Sequence, residues 1–438
     1  MIESKTNNEI SSFWIKHRVV VSVVLIILTA VFLFVRADNE FQVDSETLVV
    51  DPILMDLKDI RADFGAFGLG CIDDDDEVYP IPLYTEFLKP GSDMNEYFHC
   101  YRKYSSQTGL QGFVFRGIAH VVRTTAIIGI LRFLCCLLLV IVLYLITVNL
   151  KRKYSLSFAA AFWAVAFVSP YLISFSPNLY WVSFTWYLPM LLGLISIMHP
   201  DHRKWIYPLF FLAVLIKCMC GYEYVSTIML SGIAFQTVEW LTGVGSRKNG
   251  FKCIFLSGVS MLLGFVAALL IHAFVLGKEF YNGNLLQGLS FIKDNLVNKR
   301  TFGSAADFDG RLSNSLNASI WDVLKIYFWE SAYSKCLLAS ILVVIVIVVL
   351  DRMIFKKDGR VQLVLVAVQL AAVLSWLILA KSHSFDHRHI NFVLFDLGLT
   401  QTCLYCILKA FSNHIKIGIS KEIKQDKPSY GIIFRFEK

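Results

Sequence analysis

Two carboxylates open the case for chemistry in this chain. Asp44 and Glu46 stand two apart in Val43-Asp44-Ser45-Glu46, just after the first long apolar run. If the segment is extended, both project to one side. A carboxylate held at a membrane surface can act as general base toward a hydroxyl, a role worth about 10²–10⁴-fold. A second constellation runs Lys381-Ser-His383-Ser-Phe-Asp386-His387-Arg388-His389. Histidine with aspartate can hold zinc. Here no Cys or Glu completes a recognised spacing, and the neighbouring Lys and Arg would repel a cation. The mix of cations and donors fits a phosphate or pyrophosphate better, and the alternative is a loop facing headgroups and solvent. A third is Lys217-Cys-Met-Cys-Gly221-Tyr222-Glu223. Glu223 is isolated among apolar residues, and it either pairs with Lys217 or orients substrate. A fourth lies in 107–123. There Leu110, Phe113, Val114, Ile118, Val121 and Val122 recur at helical spacing, and Arg116, His120 and Arg123 share the opposite face. That pattern predicts an interfacial helix with a basic stripe. The stripe either rests on headgroups or grips a lipid phosphate, a task suited to the planar fork of arginine. The acidic run Asp73-Asp74-Asp75-Asp76-Glu77 offers oxygen ligands but lacks the spaced, glycine-containing loop of a calcium hand. It reads as a solvated tip. No cofactor is required by these residues, and a divalent metal stays open.

The elements that must position these residues are membrane helices. The chain has 438 residues, of which 56% are hydrophobic and only 17% charged, against about 25% charged in soluble domains. The apolar residues gather in runs near the ~20 residues that a span needs. The runs predict an all-α, polytopic transmembrane protein with about ten spans: 19–35, 126–149, 156–174, 182–198, 205–219, 225–242, 253–276, 335–350, 361–380 and 392–411. The net charge of +7 sits in short clusters between runs rather than in a stripe. This excludes a nucleic-acid partner and marks cytoplasmic connectors: Lys151-Arg152-Lys153, Arg203-Lys204, Arg247-Lys248, Lys252 and Arg352–Arg360. The basic tail, 412–438, falls on the same side, so both termini are expected in the cytoplasm. The first run follows Lys16 and Arg18 and precedes Val-Arg-Ala-Asp, which is no cleavage site, so it reads as a retained anchor. The other face carries two large loops, 37–125 (ending in the interfacial helix) and 277–334, with shorter ones that include 381–391. Long loops on a rigid scaffold are where function concentrates, so the active face is placed there. Most of the ten cysteines lie in apolar runs and read as small hydrophobes. Cys71 and Cys100 lie in the first loop, either bridged or free. No repeat is visible, which argues against a transporter built on inverted halves.

The layout of one span, a long acidic-headed loop and an interfacial helix leading into the second span resembles the GT-C superfamily of membrane glycosyltransferases. Asp44-Ser-Glu46-Thr-Leu-Val, Phe67-Gly-Leu-Gly70, Tyr104-Ser-Ser-Gln107-Thr-Gly-Leu-Gln-Gly112 and Lys381-Ser-His-Ser are similar to stretches in bacterial membrane proteins of this type. The resemblance implies a polyprenyl-phosphate sugar as donor, transfer on the non-cytoplasmic face of the bacterial inner membrane, and inversion at the anomeric carbon. It implies Asp44, or failing that Glu46, as the base. Arg116, Arg123, Lys381, His383, His387, Arg388 and His389 would bind the donor phosphate, and Lys217 and Glu223 the substrate. Larger members carry a soluble C-terminal domain that is missing here, so a glycan or lipid-linked acceptor is expected rather than a protein. Two other classes compete: a polymerase or ligase of lipid-linked glycans, leaning on outer-loop Arg and His, and a flippase of such lipids. A membrane subunit without chemistry is the plainest alternative.

Overall fold

The computed structural model describes residues 2–37, 43–59, 65–72, 101–124, 126–243, 247–308, 310–355 and 358–425. The helices, in chain order, are α1 (Ile2–Arg36), α2 (Val43–Leu57), α3 (Leu110–Val121), α4 (Ile127–Lys153), α5 (Leu156–Val168), α6 (Pro170–Phe175), α7 (Phe184–Met198), α8 (Arg203–Cys220), α9 (Val225–Thr242), α10 (Arg247–Phe280) and α11 (Leu285–Phe291). They continue with α12 (Gly310–Asn317), α13 (Ile320–Lys325), α14 (Ala332–Phe355), α15 (Arg360–Leu379), α16 (Lys381–Asp386) and α17 (Leu399–Gln425). A three-residue antiparallel ribbon, β1 (Gly70–Ile72) with β2 (Tyr101–Lys103), is the one departure from an all-α fold among the described residues.

Five of these helices are long and apolar enough to cross a membrane: Val19–Arg36, Ile127–Lys153, Arg247–Phe280, Ala332–Ile354 and Arg360–Leu379. At 1.5 Å per residue, about 20 residues match the ~30 Å hydrocarbon layer. Several of them leave large apolar side chains uncovered, among them Val19, Leu28, Leu263, Phe274, Leu342 and Val346. An exterior of this kind fits a membrane protein. Inside, α4 packs on α1, α5 and α7, while α9 packs on α7, α10 and α15. Glycine permits the closest crossings. A Cβ on Gly193 would lie 2.1 Å from the Gly232 carbonyl oxygen, and one on Gly264 would lie 2.3 Å from that of Phe211. Small residues at helix crossings let backbones approach where lipid removes the hydrophobic drive.

Three stretches differ from the sequence expectation, and the first is 392–411, which opens as a 3-10 turn, Asn391–Asp396, and becomes helical as α17 only from Leu399. The single helix expected over 156–174 is two, α5 and α6, broken at Ser169-Pro170. Pro170 lacks an N–H and occupies the first position of α6, where none is needed, and Ser169 Oγ caps the helix by accepting from the Leu172 N–H at 3.1 Å. The segment around Asp44 is helical rather than extended, so positions 44 and 46 do not share a face. The Asp44 side chain, like those of Cys71, Cys100 and the acidic run 73–77, lies outside the described residues.

The helix expected within 107–123 is present as α3, with Gln111, Gly112, Phe115 and Ala119 buried and Phe113, Val114 and Val121 exposed. Its basic stripe is met by carboxylates just before it in space. Arg116 donates through Nε and Nη2 to both oxygens of Asp56 at 2.7 and 2.9 Å, and Arg123 donates to Asp59 at 2.7 Å. Arg116 therefore docks α3 on the end of α2, while Arg123, just past α3, pairs with Asp59 at the exposed surface.

Candidate functional site

A cavity of about 440 Å³ gathers the chemistry that the sequence scatters. Its walls come from six stretches: Ser45, Tyr104 and Ser106, Tyr180 and Trp181, Glu223, the Asn295–Leu312 region, and Ser382–Ile390. Lys299, Arg300 and Arg311 bring positive charge, Glu223 and Asp386 bring carboxylates, and His383, His387 and His389 bring imidazoles.

Each wall has a local cause. In the turn between α8 and α9, Lys217 is buried and donates to the Gly221 carbonyl oxygen, which closes the end of α8. Gly221 has φ +153°, and a Cβ there would lie 2.5 Å from Glu223 Oε2 and 2.8 Å from Gln107 Oε1. Tyr224 follows at φ +64°, a conformation uncommon for a bulky residue. This tight turn aims Glu223 at Arg300, 3.3 Å away (Nη1 to Oε1). Glu223 thus pairs with Arg300, while Lys217 caps a helix. The expected cost of Gly221→Ala is about 1–3 kcal/mol, from the φ together with the collision. Gly283→Ala, at φ +83° with open space around the new Cβ, should cost less. Thermal unfolding of the two variants in one detergent checks the ordering.

The stretch 104–112 forms the floor. Gln111 Nε2 donates to the carbonyls of Tyr180 and Cys220, both at 2.9 Å, and the Tyr104 and Tyr180 hydroxyls meet at 3.2 Å. Gly68 N–H donates to the Thr108 carbonyl at 3.0 Å, and a Cβ on Gly112 would lie 2.0 Å from the Gly68 carbonyl oxygen. Two of the glycine-bearing motifs therefore interlock, and glycine is required because the backbones touch.

The cationic wall begins with a π-helical stretch, Ile292–Asn298, immediately before Lys299-Arg300. Such turns are frequent at functional sites. Burial opposes the charge on Arg300, but Glu223 and the tyrosines around it outweigh burial and hold its pKa above the ordinary value. Burial lowers Lys299. Arg311 Nε donates to Asp386 Oδ1 at 2.8 Å, and His387 Nε2 stands 3.6 Å from Asp386 Oδ2. Burial pushes His387 down to about 4 and His383 well below the usual value, with neighbouring positive groups adding to the effect on His383. His383 is buried, edge-on to Trp376, with its Nδ1 lacking a hydrogen-bond partner. Lys381 donates to the Leu316 and Ala318 carbonyls, both at 2.6 Å, and so clamps α16 to the end of α12.

The sequence-predicted residues divide accordingly. Glu223, His383, His387 and His389 line the cavity. Lys217 and Lys381 hold its walls. Arg388 is exposed and stands outside the lining, Arg116 docks α3, and Arg123 pairs with Asp59 at the surface. Glu46 is 1% exposed, gives both oxygens to Arg132 and accepts from the Leu179 N–H at 3.2 Å. It is a buried ion pair behind the wall to which Ser45 and Tyr180 contribute. Sequence reasoning missed Lys299, Arg300 and Arg311. The signal for the first two was a pair of adjacent cations, Lys299-Arg300, within a long connector between apolar runs; Arg311 carried none.

A second, apolar hollow of about 210 Å³ adjoins the first and shares Leu296 and Arg300 with it. Phe265, Leu269, Ile292 and Trp376 line it. Among the described residues no group of three or more His, Cys, Asp or Glu is arranged to hold a metal ion. The site therefore suits an anionic head joined to an apolar chain. No protein-family model, curated protein or solved structure matches this chain, so its reading rests on the chemistry of the cavity.

Proposed function

We propose that this chain is a membrane glycosyltransferase of GT-C layout. It moves a sugar from a polyprenyl-phosphate donor to a glycan or lipid-linked acceptor on the non-cytoplasmic face of a bacterial inner membrane. In this reading about ten segments cross the bilayer, with both termini in the cytoplasm. One observation carries the proposal: a cavity with three cations and three imidazoles opens beside an apolar hollow, with Arg300 common to both. An isoprenoid chain fits the hollow and its phosphate fits the cations. The acceptor oxygen attacks the anomeric carbon as the sugar–phosphate bond breaks. The lipid phosphate leaves with the bonding electrons, and the acceptor proton passes to Asp44, one residue from cavity-lining Ser45. Arg300, Lys299 and Arg311 stabilise the charge that develops on the departing phosphate, a task usually worth most in such reactions.

The test is sugar transfer by the purified protein in lipid nanodiscs, with a panel of polyprenyl-phosphate sugars and a lipid-linked glycan acceptor. Transfer by wild type that collapses in Asp44→Asn supports the proposal. A folded wild type inert toward every donor overturns it.

A second reading is favoured by one observation. Glu46 is tied to Arg132, and among the cavity's acid–base groups His387 stands beside Asp386. A ligase of lipid-linked glycans, releasing polyprenyl pyrophosphate, would use them as its base. His387→Gln would then be severe and Asp44→Asn mild.

Either reading predicts the same pH behaviour of donor binding. A histidine at its ordinary value would add positive charge as pH falls through about 6.5. With His387 down at about 4, the share of donor affinity that depends on His387, read as wild type against His387→Gln, should stay flat from neutral pH to about 5 and grow only on approach to about 4. Binding of labelled donor to both proteins across that range reads it directly. Growth centred near 6.5 would show that the imidazole is solvated.

A further inference from the structure

At the opposite end of α8 and α10 from the cavity, a separate groove of about 420 Å³ is lined by Arg203, Lys204, Tyr207, Asn249, Lys252 and Cys253. We propose that this groove is a binding site for the headgroup of an anionic phospholipid. Three cations line it and no carboxylate does. The Arg203 guanidinium is fixed on one edge, where Nε donates to the Ser196 carbonyl at 3.0 Å. Ser196 is in turn held by Gln236, so this cation is part of the fold. Lys204 and Lys252 are exposed, and the Lys204 ammonium lies over the Trp205 ring at 5.6 Å.

The surface leading away from the groove decides what the phosphate is attached to. Trp205, Leu209, Leu212 and Ile216 are exposed along α8, and Phe251 and Phe255 along α10. The track that leads out of the groove continues from its lining residue Leu256 along the same face of α10 through exposed Leu263, Leu270 and Phe274, where α8 and α10 lie in contact across Gly264. A free phosphate would use the cations and leave the track bare. A phospholipid uses both, with headgroup in the groove and acyl chains on the helices. Basic pockets between membrane helices take acidic headgroups for this reason, each cation contributing ~1 kcal/mol near the surface.

The experiment places the full-length protein in phosphatidylcholine nanodiscs doped with phosphatidylglycerol and counts retained phosphatidylglycerol by native mass spectrometry. Inorganic phosphate and glycerol phosphate are competitors. Wild type should retain the lipid against millimolar amounts of either competitor. Lys204→Gln/Lys252→Gln should bind it about 30-fold more weakly, the loss of two such contributions. Asn249→Asp removes no cation and adds a carboxylate to an exposed lining position, and it should weaken binding in the same direction. Unchanged retention in both variants overturns the site. Displacement of the lipid by inorganic phosphate overturns the assignment to a lipid.

Discussion

Arg300→Gln is expected to lower sugar transfer by about 10²–10³-fold, the usual loss when one preorganised donor to developing negative charge is removed. Two effects are superposed in that variant. Glu223 is 4% exposed, and deleting its partner leaves a buried carboxylate with only the more distant Lys217 as counter-charge. Breaking a buried pair in that way costs about 3–5 kcal/mol. The double variant Arg300→Gln/Glu223→Gln separates the two. Both charges are gone, so unfolding should return most of the way to wild type, while transfer stays low. Recovery of transfer together with stability would mean that Arg300 serves the fold alone. Arg300→Lys retains the charge but loses the fork that meets phosphate oxygens bidentately, and it should fall between wild type and glutamine in transfer rate.

The second large effect is on stability. Arg132→Met should destabilise the protein by about 3–5 kcal/mol, because Glu46 would remain charged and shielded from water. Glu46→Gln added to Arg132→Met should restore most of the loss. The amide oxygen still accepts from the Leu179 N–H, which now bonds to Glu46 Oε1, and no charge is left unpaired. Unfolding midpoints of the three proteins in one detergent give the comparison. Failure of the second change to rescue the first would show that the methionine disrupts packing beyond the ion pair. Transfer by the rescued double variant also decides the place of Glu46 in the chemistry, since a base cannot be replaced by an amide.

Much of the helical scaffold was legible because it is written in long unbroken apolar runs. The break at Ser169-Pro170 was missed for the same reason: the apolar run continues through it, and periodicity alone does not see a missing N–H. The helix 110–121 was legible in its spacing, while Asp56 and Asp59, the carboxylates that meet Arg116 and Arg123, were not. Nothing in sequence spacing reveals that α2 ends beside α3. His383, His387 and His389 were legible as a cluster because they are local. Arg300 was hidden because its partner Glu223 lies in a different turn, brought close by the packing of α8, α9 and α10. Lys217 and Lys381 misled in one further way. A buried lysine that satisfies carbonyls and a lysine that waits for a ligand look alike in a sequence, and only the acceptors at Gly221, Leu316 and Ala318 distinguish them.

The clamp from Lys381 to the carbonyls of Leu316 and Ala318 has a consequence for biosynthesis. The chain emerges from its N-terminus at about 5–20 residues per second, so the segment bearing Lys299, Arg300 and Arg311 is made and threaded before α16 exists. Until residue 381 arrives, the end of α12 has no ammonium on its carbonyls and the histidine wall is missing. The nascent protein therefore carries an open cationic face and no enclosed chamber until α16 has been made. Truncation before α16 should leave a membrane-inserted but inert chain.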